Sequence, residues 1–96
     1  MDGTTITRHD SGAHGEYRAV VLGSDASGRL TYQRRGNTLV ADDTQVPPEI
    51  GGRGVAARLV EALIADARAA GDKIVPQCSY VEAAFRRHPE WAELRA

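Results

Sequence analysis

The 96-residue chain has one cysteine, no long apolar run and no surplus of charge of either sign. Each shortage excludes something. A lone Cys78 cannot close an internal disulfide, so the core must hold without a covalent staple. No apolar stretch approaches the roughly 18 to 20 residues that a membrane-crossing helix needs. Twelve Lys and Arg stand against thirteen Asp and Glu, so no global field draws the chain to nucleic acid or to an anionic membrane. The pairs Arg34-Arg35 and Arg86-Arg87 are too short to reverse that. Met1-Asp2-Gly3-Thr4-Thr5 lacks the basic-then-apolar run of a secretory signal. His9 and His14 have no cysteine or acid at ligand spacing, so no metal site is expected. Repeats and low-complexity tracts are missing as well. The composition predicts one soluble, cytoplasmic domain with a single core, too small to close two lobes on a substrate.

The pattern that is present changes character at mid-chain. Residues 1–15 are polar and broken by Ser11-Gly12-Ala13 and Gly15, which predicts a loose lead-in holding at most a short strand at Thr4 to Arg8. Residues 16–95 form the expected domain. Glu16 to Leu22, Gly28 to Arg34 and Thr38 to Val46 read as strands, the first two antiparallel with one wet face, and Pro47-Pro48 closes the third. From Gly54 to Ala70 the apolar positions Ala56, Leu59, Val60, Leu63, Ile64 and Ala67 recur at helical spacing, with Arg58, Glu61, Asp66 and Arg68 largely away from that stripe. Gly71 is a natural helix end, and Ile74-Val75 follows as a short strand. Strand, helix and strand in this order make a right-handed crossover with its two strands parallel. Ser79 and Glu82 have capping-box spacing, which predicts a helix from Tyr80 to about Arg87, and Pro89 begins a last turn near Leu94. Trp91 and Leu94 are expected to cover the core from that end. The class is α/β (α+β): a mixed, mostly antiparallel sheet with one parallel strand-helix-strand unit and short C-terminal helices.

Between third strand and long helix lies Glu49-Ile50-Gly51-Gly52-Arg53-Gly54-Val55-Ala56. Glycines there let backbone N–H groups converge on a ligand, and the following helix adds its unpaired donors and the positive end of its dipole. A phosphate-bearing cofactor suits such a cradle. A Walker loop would place Lys-Ser or Lys-Thr after the last glycine, where Val55-Ala56 stand. Gly52-Arg53-Gly54-Val55-Ala56-Ala57 satisfies the dinucleotide string G-x-G-x-x-A, yet no acid follows in Ile74-Val75-Pro76-Gln77-Cys78 and the turn does not follow a first strand. The pyrophosphate turn of acyl-coenzyme A transferases has the matching order of antiparallel strands, turn and one long helix. A plain tight turn is the structural alternative.

The chain resembles the small single-domain, YjdJ-type members of the GNAT N-acetyltransferase superfamily. The likeness is carried by Thr44-Gln45-Val46-Pro47-Pro48-Glu49-Ile50, Gly52-Arg53-Gly54-Val55-Ala56, Leu59-Val60, Val75-Pro76-Gln77-Cys78-Ser79-Tyr80-Val81 and Arg87-His88-Pro89-Glu90-Trp91. It implies a trimmed acyl-CoA N-acyltransferase fold with an open acceptor face. It also implies acetyl-CoA as cofactor and a primary amine as acceptor: a protein lysine, an N-terminus or a small amine. Members usually carry a basic residue at the place of Gly51 and often a histidine at that of Asp43. The resemblance further implies that the two parallel strands splay apart beyond Val46 and Val75. The pantetheine arm would then pair with backbone near Thr44 to Val46, with the Val46 N–H on the thioester carbonyl. Backbone donors of about Gly51, Gly52, Arg53, Gly54, Val55 and Ala56 would hold the pyrophosphate, helped by Arg53 or Arg58.

Transfer of this kind is direct attack by a neutral amine on a thioester, and positioning of the two reactants dominates it. Two residues compete for catalytic roles. Cys78 follows the last parallel strand and is read either as an acyl carrier or leaving-group acid, or as a small residue packed beside the cofactor, the second being favoured. Tyr80 begins the following helix and is read equally as a proton donor to the departing thiolate or as packing. His88 is expected to fix the C-terminal turn. The alternative from another class is a catalytically weak coenzyme A-binding or protein-interaction module with the same fold.

Overall fold

The computed structural model describes residues 3–96; Met1 and Asp2, the start of the expected lead-in, lie outside the described residues. Five strands form one sheet in chain order: β1 (Thr4–Asp10), β2 (His14–Val21), β3 (Ser27–Arg35), β4 (Thr38–Gln45) and β5 (Lys73–Pro76). The first four are antiparallel neighbours, and β5 joins β4 in parallel. Between β4 and β5 run a 3-10 turn (Pro48–Ile50) and helix α1 (Val55–Ala70), and after β5 come helix α2 (Ser79–Arg87) and a second 3-10 segment (Pro89–Leu94). The expected strand-helix-strand crossover is therefore present.

The lead-in is corrected by this sheet. Thr4–Asp10 is an edge strand paired along its whole length with β2. Its polar composition misled the reading because an edge strand with one wet face buries little. What fixes it is a charged cluster on its inner face. Arg8 reaches Asp66 of α1 at 3.2 Å and the Tyr32 hydroxyl at 2.9 Å, and its guanidinium lies over the rings of both Tyr17 and Tyr32. Tyr17 donates to Asp66 at 2.7 Å, and Tyr32 donates to Asp10. Asp66 thus serves the helix-sheet junction, whereas the helical pattern had placed it away from the packed stripe. Burial and the Asp66 bond push the Tyr17 hydroxyl well above the ordinary tyrosine range, and burial with the Asp10 bond raises that of Tyr32.

The core lies between the inner face of the sheet and the helices. Tyr17, Ala19, Leu30, Tyr32, Leu39 and Ala41 from the strands meet Leu59, Val60, Leu63 and Ile64 from α1 and Val81 and Phe85 from α2. Trp91 and Leu94 close it from the C-terminal end, with His88 stacked on Trp91 at 4.0 Å between centroids. Gly71 ends α1 in the left-handed region at φ 73°, its N–H facing the Ala67 and Arg68 carbonyls. The predicted capping box does not form. Cys78 is the N-cap and makes no side-chain cap bond, and Ser79 is already helical. Glu82 turns outward instead to Arg86 at 3.1 Å and Arg95 at 2.9 Å. The tail then covers the free edge of β5, where Arg95 bridges Ile74 and the Ala96 N–H donates to the Ile74 carbonyl at 2.8 Å.

Candidate functional site

Hydrogen-bond parity decides what β4 offers. Arg34 donates to Ala13 across β2 and β3, so even residues of β3 bond toward β2 and odd ones toward β4. Gln33 pairs Val40 and Arg35 pairs Thr38, which leaves Leu39 and Ala41 to bond toward β5. At Asp42 the register slips by one residue, and Thr31 pairs Asp43. That bulge changes the phase. Beyond it Asp43 and Gln45 bond toward β3, so the backbone groups of Thr44, and of Val46 just past the strand, face the β5 side.

β5 is no longer there to meet them. Its last ladder partner is Pro76 against Ala41, and the Cys78 N–H donates to the Ala41 carbonyl at 2.8 Å before the chain turns into α2. A gap therefore opens between β4 and β5 beside Thr44 and Val46. Cys78 lines its β5 side, with Sγ 3.5 Å from Thr44 Oγ1. Both Cys78 and Tyr80 are half-buried against the core, and Tyr80 lies under the Arg87 guanidinium at 6.0 Å. Cys78 is thus brought beside the candidate backbone position Thr44, whereas Tyr80 stands on the first turn of α2.

The glycine-rich turn follows directly. Gly51, Gly52, Arg53 and Gly54 are all exposed. Gly52 and Gly54 sit at φ 74° and 73°, in the left-handed region that side chains resist, and a Cβ on either would meet no protein atom within 4 Å. The glycines are there for backbone direction and leave open space above them. Gly54 is the N-cap of α1 and has no side-chain cap, and the first turn contains no acid. The first helical bond runs from Arg58 N–H to the Gly54 carbonyl, leaving the early N–H groups of the helix to face outward. One donor of the expected set is already used, because the Gly51 N–H bonds the Pro48 carbonyl at 3.1 Å. The Val55 side chain is buried, so only its backbone belongs to the cradle.

A strand whose backbone faces a gap, a glycine turn and an uncapped helix N-terminus form one continuous path. The model of the GCN5-related N-acetyl-transferase family matches residues 16–94. The chain belongs to that family. Solved acetyltransferase structures share its fold. The solution structure of a candidate GCN5-like N-acetyltransferase from Staphylococcus aureus superposes with a TM-score of 0.74 at 23% identity, covering 100% of this chain and 91% of that one. The crystal structure of nourseothricin acetyltransferase gives 0.60 at 19% identity, over 88% of this chain and 67% of that one. A search of curated proteins returned no match.

Other features of this GCN5-related chain bear on the site. Among the described residues no helix is long and apolar enough to cross a membrane, and no group of three or more His, Cys, Asp or Glu is placed to hold a metal ion. The bulge at Asp42 is the structural feature of the candidate site that sequence reasoning missed. Its only trace in the string is the break after Leu39-Val40-Ala41, where two acids follow each other on one strand. Both turn to the outer face of the sheet: Asp42 accepts from Thr31 at 2.6 Å and Gln33 at 3.2 Å, and Asp43 accepts from Gln45 at 2.9 Å.

Proposed function

We propose that the chain is an acetyl-CoA-dependent N-acetyltransferase that passes acetyl to a primary amine by direct attack. The supporting observation is the phase change at Asp42, which leaves the Thr44 and Val46 backbone facing a gap that opens immediately before an uncapped helix N-terminus. The N–H groups of Gly52, Arg53, Gly54, Val55 and Ala56 would hold the pyrophosphate, with the helix dipole and the exposed Arg53 side chain adding favourable charge. The backbone groups of Thr44 and Val46, which face the β5 side, would hold the pantetheine arm.

In this reading the cofactor, when bound, supplies the activated acetyl group, and the chain supplies position and charge. The Val46 N–H would donate to the acetyl carbonyl oxygen, where a fixed backbone donor favours developing negative charge. Tyr80, at the first turn of α2, would serve as the proton donor for the departing thiolate. Cys78 packs beside the arm and does not carry the acetyl group.

The test is an assay of the purified chain with acetyl-CoA and a panel of lysine peptides and small amines, read by mass spectrometry of the acetylated products. Acetylated amine formed faster than in protein-free controls is the expected result. Tight acetyl-CoA binding with no acetylated product would favour the non-catalytic coenzyme-binding module.

A further inference from the structure

The helices pack on the inner face of the sheet, where Tyr17, Ala19 and Leu30 join the core. Arg18 and Arg29 alternate with those residues along β2 and β3 and so stand on the outer face. They are direct register partners. Two like charges placed opposite each other in a ladder oppose the pairing of their strands. A counter-charge at the pair relieves that opposition.

The chain itself answers only one of the two charges. Arg18 gives Nε and Nη2 to Glu16 Oε2, at 3.2 and 3.0 Å. Among the described residues Arg29 bonds only the neutral Gln45 Oε1, at 3.2 Å. Gln45 is fixed in turn, its amide donating to Asp43 at 2.9 Å. Both arginines wall one cavity of about 370 Å³, together with Ser27, Gln45, Val46 and Pro47, and no carboxylate belongs to its lining. That volume suits a small molecule. The glycine cradle is a different place. Gly28, between Ser27 and Arg29, faces the inner side, where a Cβ would come within 3.1 Å of the Val55 side chain at the start of α1. The cavity therefore lies across the sheet from the helix N-terminus.

We propose that Arg18 and Arg29 form a binding site for a small carboxylate. With Glu16 answering Arg18, the pair keeps a surplus of one positive charge, which a single carboxylate balances. The Arg29 guanidinium has Nε and Nη1 left over from its bond to Gln45, and its planar fork matches the two oxygens of a carboxylate. Ser27 adds a hydroxyl to the same wall, and the hydrocarbon part of the acid lies against Val46 and Pro47. The occupant thereby sits beside Val46, the residue to which the proposed function gives the acetyl oxygen. Binding at this site does not depend on that function.

The experiment is a two-dimensional amide NMR titration of the full chain, without cofactor, with sodium butyrate, using sodium chloride and butylammonium chloride as controls at matched ionic strength. Butyrate alone should give saturable shifts at the Ser27, Arg29 and Val46 amides. Arg29→Gln should weaken binding about tenfold or more, and Arg29→Lys, which keeps the charge and loses the fork, should fall between it and the wild type. Glu16→Gln releases Arg18 from its own acid and should tighten binding, a gain that a merely structural role of the arginines does not produce. Shifts that do not saturate, equal shifts from chloride, binding unchanged in Arg29→Gln or binding weakened in Glu16→Gln each overturn the assignment. Kinetics then identify where the carboxylate comes from. A preference for 4-aminobutyrate over butylamine that Arg29→Gln abolishes makes it part of the acceptor, whereas butyrate that changes the KM for butylamine makes it a separate acid. This second arm rests on the acetyltransferase reading: butyrate binding with turnover of neither amine counts against that reading and leaves the site standing.

Discussion

The Cys78 N–H bonds the Ala41 carbonyl at 2.8 Å, and this is the point at which the β5 chain leaves β4. Everything asked of the site follows from that departure. Up to Ala41 the strand is paired on both sides. After it, the bulge at Asp42 turns Thr44 and Val46 toward a neighbour that has gone.

Replacing Val46 by proline removes the one N–H assigned to the thioester oxygen and nothing else of the ladder, since Val46 lies outside β4 and Gln45 before it is already extended. Loss of such a donor costs about 10²–10³ in kcat. Val46→Pro should show that drop, with thermal stability lowered only by the lost packing of the half-buried Val46 side chain, measured by acetyl-transfer kinetics and calorimetric melting. A variant that keeps its kcat would place the oxygen elsewhere.

At Gly54 the backbone is left-handed and the space above it is empty. Gly54→Asp adds a carboxylate where the phosphates are expected and should abolish acetyl-CoA binding. Gly54→Asn brings a similar side chain that tolerates this conformation and carries no charge, so it should bind more weakly than the wild type but measurably. Equal loss in both would point to backbone strain in place of charge.

Cys78 and Tyr80 separate covalent from direct transfer. Cys78→Ala should leave turnover within a few-fold, because only packing beside the cofactor is lost. Tyr80→Phe should lower kcat about tenfold or more while leaving acetyl-CoA affinity in place. An acetylated Cys78 peptide trapped after mixing with acetyl-CoA alone, together with a dead Cys78→Ala, would reverse the two roles.

The cluster that ties β1 to α1 predicts an alkaline limit to stability. Tyr17 and Tyr32 both have their ionisation pushed up in the folded state. Unfolded tyrosines lose their protons near pH 10, so above that pH the unfolded chain binds fewer protons than the folded one, and stability falls as pH rises. The slope approaches about 1.4 kcal/mol per pH unit for each tyrosine that stays protonated. Urea unfolding from pH 8 to 11 should show this decline, and Tyr17→Phe should flatten it. At neutral pH Tyr17→Phe should cost about 1–2 kcal/mol through the bond to Asp66.

The sequence reading located the main elements because their signals are local. Apolar spacing from Leu59 to Ala67 marked α1, Gly71 marked its end, and Pro47-Pro48 marked the close of β4. The edge strand β1 was legible only as Thr4 to Arg8, since its inner-face partners are Tyr17 on the next strand and Tyr32 and Asp66, far away in the chain. The Ser79-Glu82 spacing suggested a capping box, but Arg86 and Arg95 outcompete the backbone for Glu82. The Asp42 bulge depends on pairing with Thr31, a long-range register that no short pattern encodes. The glycine cradle was visible as a motif, whereas the use of the Gly51 N–H by Pro48 depended on the 3-10 turn that precedes it.

Calorimetric titration with acetyl-CoA tests the central claim most directly. The wild-type chain should bind at sub-millimolar concentration with one site, and Gly54→Asp should give no heat of binding. No binding to the wild-type chain at sub-millimolar acetyl-CoA, from protein whose fold is verified by its melting transition, would contradict both the enzymatic reading and the coenzyme-binding alternative.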